Sequence, residues 1–146
     1  MQIKIAKVRP QAKIPTKATP GSGAYDIYAA LDDPMQIDPM QRVAVPTGLV
    51  MEIPAGYIFS IRPRSGLSIR HGLTLTNAPG TIDSDFRGEV KILMVNLGKE
   101  SFTIENGDRI AQGLLEKTEN IDFLEVEQSS LSKTERGSGG FGSTGI

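Results

Sequence analysis

Cysteine and tryptophan are both absent from this sequence of 146 residues, and histidine occurs once, at His71. Without cysteine the chain has neither a disulfide framework nor a thiolate zinc site, and a lone histidine cannot build an imidazole metal site. Since the absence of disulfides suits a reducing compartment, we expect an intracellular, cytoplasmic protein. We assign His71 a structural role.

Long apolar runs and an excess of charge are also missing. No segment approaches the roughly 20 apolar residues of a membrane span, and residues 1–9 lack the apolar run of a signal peptide. Sixteen basic residues are balanced by seventeen acidic ones, for a formal charge of −1, so no excess of positive charge is available to hold a nucleic-acid backbone. The sequence therefore predicts a soluble, unexported protein that binds neither nucleic acid nor membrane.

What the sequence does contain is a series of short segments in which apolar and polar residues alternate. Glycine, proline, asparagine or aspartate separates these segments about every 8 to 12 residues. The segments are 3–5, 43–45, 50–53, 57–61 and 90–97. Helix is limited to one short turn near residues 65–71. The pattern predicts a single all-β domain, a sandwich or barrel, over residues 1–127.

The end of the chain differs in composition. Apolar residues become rare from residue 128 to residue 146, and residues 136–145 read RGSGGFGSTG. Such a segment cannot order itself by burying apolar surface, and taken alone it favours a mobile terminus. The functional alternative is a tail that orders over a ligand, because glycine amides can approach phosphate while Arg136, Ser143 and Thr144 supply charge and hydroxyl groups.

Two short segments combine turn residues with charge. Arg64, Ser65 and Gly66 follow a predicted strand, and a guanidinium, a hydroxyl and a glycine amide at this spacing can form an anion site. The alternative is an ordinary turn with a surface arginine. The segment 21–27 places Asp26 at the entry to a strand, a common turn composition with no chemistry of its own.

The segment 77–90 carries two aspartates on one extended stretch. Asp83 and Asp85 are two residues apart and face the same side, where they can share a water or pair with Arg87. The alternative is a solvated, salt-bridged hairpin edge.

The segment 107–112 follows an Asn-Gly turn and enters a strand. Regular alternation places Asp108, Ile110 and Gln112 on one face, and Arg109 and Ala111 on the other. Structural ion pairing is the favoured interpretation of its charges.

Taken in order, five segments resemble the five motifs of the trimeric dUTPase family. The resemblance covers residues 21–145 at family-like spacing, and five motifs in order are specific although each alone is weak. The segments are Gly-Ala-Tyr-Asp-Ile at 23–27, Pro-Arg-Ser-Gly-Leu at 63–67, Gly-Thr-Ile-Asp-Ser-Asp-Phe-Arg-Gly at 80–88, Gly-Asp-Arg-Ile-Ala-Gln at 107–112, and residues 136–145.

The resemblance implies a distorted jelly-roll-like β-barrel that forms a homotrimer, with active sites at the subunit interfaces and a flexible C-terminal arm over residues 128–146. It also implies a dUTP diphosphatase that hydrolyses dUTP to dUMP and pyrophosphate with Mg²⁺. Such an enzyme limits uracil incorporation into DNA and supplies dUMP for thymidylate synthesis.

Roles in the family transfer onto matching positions of this chain. Asp83 matches the general base that aligns a water for in-line attack on the α-phosphorus. Asn77 matches the residue that pairs with uracil, together with backbone groups of Gly80, Thr81 and Ile82, and the close fit excludes the methyl group of thymine.

Phe86 matches the aromatic residue on which deoxyribose packs and which rejects a ribose 2′-hydroxyl. The family most often has tyrosine here, so this chain keeps the ring and loses the hydroxyl. Stacking should survive, whereas a hydrogen bond from the phenol would not. Sugar discrimination and substrate affinity are therefore the properties in which we expect this protein to differ.

The remaining contacts implied by the family concern the triphosphate and its metal ion. Arg64, Ser65, Gly66 and Gln112 match contacts to the phosphate chain. Asp26 matches an acid that acts on Mg²⁺ through coordinated water, so no direct protein ligand to the metal is expected.

The tail supplies the fifth motif. In the family it closes over a site built by the other subunits, which excludes water other than the nucleophile. Arg136 would hold the γ-phosphate, Phe141 would stack on uracil, and Gly142, Ser143 and Thr144 would complete the contacts to the substrate.

Two other functions remain as alternatives. A dCTP deaminase of the same fold would need a glutamate about ten residues after Asp83 as a proton shuttle, and Leu93 stands at that position. A non-catalytic, regulatory nucleotide-binding protein is the second alternative. Against it argues the retention of Asp83, Arg64, Ser65, Gln112 and Arg136.

Overall fold

The computed structural model describes residues 1–140 and Ser143 of the chain. In this part the backbone forms eleven strands, the helix α1 (Ser65–His71) and a 3-10 turn (Gln128–Ser130). The strands are β1 Lys4–Lys7, β2 Tyr25–Tyr28, β3 Met35–Ile37, β4 Arg42–Pro46, β5 Leu49–Glu52, β6 Tyr57–Arg62, β7 Leu73–Leu75, β8 Gly80–Ile82, β9 Lys91–Asn96, β10 Phe102–Ile104 and β11 Arg109–Lys117.

The strands pair in antiparallel fashion. One sheet has the order β2-β11-β6-β8, a second has the order β4-β9-β7, and two further pairs join β1 to β5 and β10 to β3. The predicted all-β fold is confirmed, and α1 occupies the place predicted for the one helical turn. No helix in the described part of the chain has the length and apolar character needed to cross a membrane.

Alternation along the strands decides which side chains are buried. In β9, Ile92 and Met94 point into the core, whereas Lys91 and Leu93 are exposed. The two larger sheets contribute to one common core, which includes Ile27, Phe59, Ile61 and Ile110 from the first and Val45, Leu73, Ile92 and Met94 from the second. This shared core holds the ends of β2, β6 and β11 in fixed positions.

The helix α1 connects β6 to β7 and ends at Gly72. Gly72 has a left-handed conformation with φ 71°, and a Cβ there would clash with the backbone nitrogen of Gly98. Both features require glycine. The ring of His71 packs on Phe102 with the ring centroids 4.7 Å apart, which agrees with the structural role expected for this histidine.

Asn96 ends β9 with a fully buried side chain. Its Nδ2 donates hydrogen bonds to the carbonyl oxygens of Ile37 at 2.9 Å and Glu100 at 2.8 Å. Its Oδ1 accepts one from the backbone N–H of Gly98 at 2.8 Å. The side chain therefore joins β9 to β3 and to the turn before β10.

Replacing Asn96 with alanine should lower the free energy of unfolding by about 2–4 kcal/mol, because three backbone groups lose their partners. Chemical denaturation at a fixed protomer concentration measures the change. The exposed Asn120→Ala is the matched control and should shift the free energy by no more than about 0.5 kcal/mol. Equal effects of the two substitutions would contradict the structural role of Asn96.

Candidate active site

Asp26 on β2 lies between two arginines from distant parts of the chain. Its Oδ1 is 3.1 Å from Nε of Arg64, and its Oδ2 is 3.2 Å from Nη1 of Arg109. Arg64 also donates from Nη1 to the carbonyl oxygen of Arg109 at 3.0 Å. Because the Asp26 side chain is only 11% exposed, its charge needs these partners.

A β-bulge in β11 brings Arg109 to Asp26. The cross-strand pairs are Arg109 with Tyr28, Ala111 with Ile27, and Gln112 with Asp26, and the register shifts between Arg109 and Ala111. Since directly paired residues share a face of the sheet, the extra residue places Arg109 on the same face as Gln112. The predicted alternation, which put these two residues on opposite faces, is wrong at this point. The predicted ion pairing of the segment is confirmed, with Asp26 as the partner.

The other matching residues of the second and fourth motifs lie beside this ion pair. Gln112 is paired with Asp26 on β2 and with Arg62 on β6, and its Nε2 donates to the carbonyl oxygen of Pro63 at 2.9 Å. Ser65, which is exposed, and Gly66 form the start of α1. The group is called the polar cluster below and consists of Asp26, Arg64, Ser65, Gly66, Arg109 and Gln112.

Strand β8 forms one edge of the four-stranded sheet, and residues 77–79 form the turn that leads into it. In the described part of the chain β8 pairs with β6 alone, so its other edge presents free backbone donors and acceptors. A cavity of about 30 Å³ lies between this edge and β9; among the residues that line it are Asn77, Gly80, Thr81, Ile82 and Leu93. A Cβ on Gly80 would come within 3.3 Å of Nδ2 of Asn77. This edge suits a planar ring that forms hydrogen bonds in its own plane.

A tight turn follows β8 at residues 83–88. The backbone N–H of Phe86 donates to the carbonyl oxygen of Asp83 at 3.2 Å, and the side chains of Asp83 and Asp85 are exposed. Arg87 donates from Nη1 to the carbonyl oxygens of Ser84 at 2.7 Å and Phe86 at 2.9 Å. Among residues 1–140 and 143, Arg87 forms no ion pair with either aspartate, so the salt-bridged hairpin edge is not found.

The chain that leaves this turn is fixed to the N-terminal region. Oε1 of Glu89 accepts hydrogen bonds from Nε of Arg9 at 2.7 Å and from the backbone N–H of Gly48 at 3.0 Å. The hydrogen bond to Glu89, followed by the attraction of its charge, raises the pKa of the Arg9 guanidinium above its ordinary value. The N–H of Val90 donates to the carbonyl oxygen of Leu49 at 2.8 Å. The chain immediately after the turn is therefore fixed in position by these hydrogen bonds.

Asp83 and the polar cluster lie at opposite ends of β6. In the β6–β8 pair Phe59 is opposite Ile82, so Asp83 follows near the start of β6, whereas Arg64 comes after its end. Six residues of extended chain between these levels correspond to about 20 Å. Within one chain the Asp83 carboxylate therefore does not meet the polar cluster.

The end of the chain is exposed throughout residues 118–138. Arg136 is exposed and donates from Nε to the carbonyl oxygen of Gly139 at 2.9 Å, within the tail itself. The backbone N–H of Ser143 donates to the carbonyl oxygen of Gly140 at 3.0 Å. Phe141, Gly142 and Thr144, which were predicted to contact the substrate, lie outside the described residues.

The sequence patterns did not identify Arg109 as a member of the site. It is 83 residues from Asp26 along the chain, and regular alternation turned it to the wrong face. The available signal was an Asp-Arg pair after an Asn-Gly turn, which indicated an ion pair without naming its partner.

Comparison with known proteins identifies one family by sequence and a matching fold among solved structures. The dUTPase family model matches residues 10–145. A deoxyuridine 5′-triphosphate nucleotidohydrolase from Treponema denticola is 50% identical over 140 residues, which cover 96% of each chain. A mutant of the dUTPase of Staphylococcus bacteriophage 80alpha, solved with dUpNHpp, has a TM-score of 0.88 at 23% identity over 99% of both chains.

A second solved structure resembles the chain less closely. It is a mutant of the dUTPase from phage phi11 of S. aureus, described with a coordinated structural Mg(II) ion. Its TM-score is 0.79 at 18% identity, over 90% of this chain and all of that one. At these identities the two phage structures show the fold.

Proposed function

The chain belongs to the dUTPase family, and on that premise we propose that it hydrolyses dUTP to dUMP and pyrophosphate by in-line attack of a water on the α-phosphorus. The observation that best supports this reaction is the polar cluster, in which three motif segments meet at one end of β2, β6 and β11. The reaction would keep uracil out of DNA, supply dUMP for thymidylate synthesis, and place the enzyme with the nucleotide pool of the cytoplasm.

The polar cluster is the binding site for the triphosphate. Arg64 directs Nε toward Asp26 and donates from Nη1 to the carbonyl oxygen of Arg109. The remaining N–H groups of its guanidinium can donate to phosphate oxygens. Ser65 contributes its exposed hydroxyl and Gly66 its amide, while Gln112 projects from β11 on the same face. These groups would bind the phosphates on either side of the scissile bond through non-covalent contacts.

The free edge of β8 binds the base. Uracil presents alternating acceptors and a donor on one side, and Asn77 with the backbone of residues 80–82 offers the complementary groups. Leu93 lines the cavity behind this edge. Close packing of the uracil ring against this edge would leave no room for the C5 methyl of thymine.

Asp83 is the general base in this scheme. Its carboxylate is exposed and lies two residues after Thr81, which is proposed to bind uracil. It can accept a proton from a water positioned at the α-phosphorus. Phe86, three residues later, packs on the deoxyribose. Pyrophosphate departs from the side opposite the attacking water.

The site is completed by more than one chain. Asp83 and Arg64 lie about 20 Å apart in one chain, whereas the reaction needs both within a few ångströms of the same phosphate. The stretch after β11 also exposes large apolar side chains, with Ile121 at 67%, Phe123 at 91% and Leu124 at 85%. Such a run fits burial against a neighbouring subunit. These features support a homotrimer in which one chain contributes Asp83 and another the polar cluster.

The tail acts as a lid over this shared site. Residues 128–138 are exposed, and the hydrogen bond that Arg136 donates to Gly139 lies within the tail, so Arg136 would reach a γ-phosphate when the tail closes. Phe141 would then cover the uracil, with Gly142, Ser143 and Thr144 beside the phosphates.

Magnesium fits this site as a partner of the substrate. No group of three or more carboxylate, histidine or cysteine side chains in the described residues could hold a metal ion. Oδ2 of Asp26 accepts a hydrogen bond from Arg109 and Oδ1 forms an ion pair with Arg64, which suits contact with Mg²⁺ through the water shell that the ion retains. When bound to the triphosphate, the ion would neutralise charge on its oxygens.

Turnover of a nucleotide panel with Mg²⁺ tests the proposal. We expect dUTP to give dUMP and pyrophosphate in equal amounts, with kcat/KM for UTP, dTTP and dCTP lower by about 100-fold or more. A chelator should abolish most of the activity and added Mg²⁺ should restore it. Ammonia from dCTP would indicate the deaminase instead, and binding of dUTP without turnover would indicate a regulatory protein.

A further inference from the structure

The ring of Phe86 is folded back over Gly88. A Cβ placed on Gly88 would lie 2.6 Å from Cζ and 2.9 Å from Cε2 of that ring. Carbon atoms in ordinary contact are about 3.5–4.0 Å apart, so the ring occupies space that any other residue at position 88 would fill. Gly21 and Gly23, by contrast, have no heavy atom within 4 Å of the same position.

A side chain at position 88 would have to push this ring aside. The φ of Gly88 lies outside the left-handed range, so the backbone conformation itself is open to other residues. The turn on which the ring rests is held by the hydrogen bonds that Arg87 donates to Ser84 and Phe86. Glu89, immediately after Gly88, is held by Arg9 and Gly48. The backbone of Gly88 is therefore a fixed support under one face of the ring.

The other face of the ring is open. Phe86 is 41% exposed, and no hydroxyl is present to fix the ring by a hydrogen bond. On its covered side the ring lies against Gly88. Because the rejection of a 2′-hydroxyl depends on a surface held at close distance, the position of this ring matters to within a fraction of an ångström.

We propose that Gly88 is a positioning residue for sugar selection: it supports the Phe86 ring and so determines how strongly dUTP is preferred over UTP. The inference rests on the proposed dUTP hydrolysis. A methyl group at position 88 displaces the ring by about 1 Å, and on this exposed turn the ring moves off its support toward solvent. A displaced Phe86 ring would exclude the 2′-hydroxyl of UTP less strongly.

The test is Gly88→Ala, assayed with dUTP and UTP. We expect the ratio of the two kcat/KM values to fall roughly tenfold, toward the ratio of Phe86→Ala. Gly21→Ala, where the added methyl meets open space, is the matched control and should leave the ratio within about twofold of wild type. An unchanged ratio in Gly88→Ala overturns the inference.

The double variant Phe86→Ala/Gly88→Ala separates positioning from general damage. If Gly88 acts through the ring, adding Gly88→Ala to Phe86→Ala should leave the ratio unchanged and restore any melting temperature lost in the single variant. Additive losses, or a double variant as unstable as Gly88→Ala, would show that the methyl disturbs something other than the ring. Wild-type enzyme that fails to hydrolyse dUTP would refute the proposed function, whereas normal wild-type turnover with an unchanged ratio would refute this inference alone.

Discussion

Asp83→Asn is expected to lower kcat for dUTP hydrolysis by about 10²–10⁴-fold, the usual contribution of a positioned general base. The amide keeps the size and polarity of the carboxylate but cannot accept the proton of the attacking water. KM for dUTP should change little, because Asp83 is proposed to contact the nucleophile and not the base or the phosphates. Pyrophosphate release at saturating dUTP and Mg²⁺ measures the effect.

Asp85→Asn is the matched control for this experiment. Asp85 lies in the same exposed turn, two residues from Asp83, and carries the same charge. Its substitution should leave kcat within about threefold of wild type if the chemistry belongs to Asp83. Near wild-type turnover in Asp83→Asn, or equal losses in the two variants, would assign the base to another residue.

Several strands of four to six residues could be predicted from the sequence, because alternation needs several positions to become visible. β4, β5, β6 and β9 were all indicated in this way, and α1 was located within the one predicted helical turn. The strands β3, β7, β8 and β10 have three residues each, too few for a period of two to stand out. Tertiary pairing, which the local sequence does not encode, defines them.

The composition of the site was predictable, but its arrangement was not. Resemblance assigned roles to Asp26, Arg64 and Gln112, and the structure brings these three together. The bulge that turns Arg109 toward Asp26 depends on the pairing of β11 with β2, so alternation within β11 gave the wrong face. Likewise, the reason for glycine at position 88 is visible only once the ring of Phe86 is placed above it.

The register of β6 with β8 also has a consequence for assembly. Because it separates Asp83 from Arg64 by about 20 Å, a shared site predicts that two inactive variants can complement each other. Asp83→Asn chains still carry an intact polar cluster, and Arg64→Gln chains still carry an intact Asp83. Each homotrimer alone should be inactive, the first for lack of a base and the second for lack of a phosphate contact.

Co-refolding the two variants in equal amounts should therefore restore activity to about one quarter of wild type. Each site needs Asp83 from one kind of chain and Arg64 from the other, and random mixing meets each requirement with a probability of about one half. For a mole fraction x of one variant, activity should follow x(1−x), with its maximum at equal amounts and none at either end. Light scattering should give three chains per particle before and after mixing. Activity that stays at background at every ratio would mean that one chain supplies both residues, and the geometry of the site would then require a rearrangement of β6 and β8 within the chain.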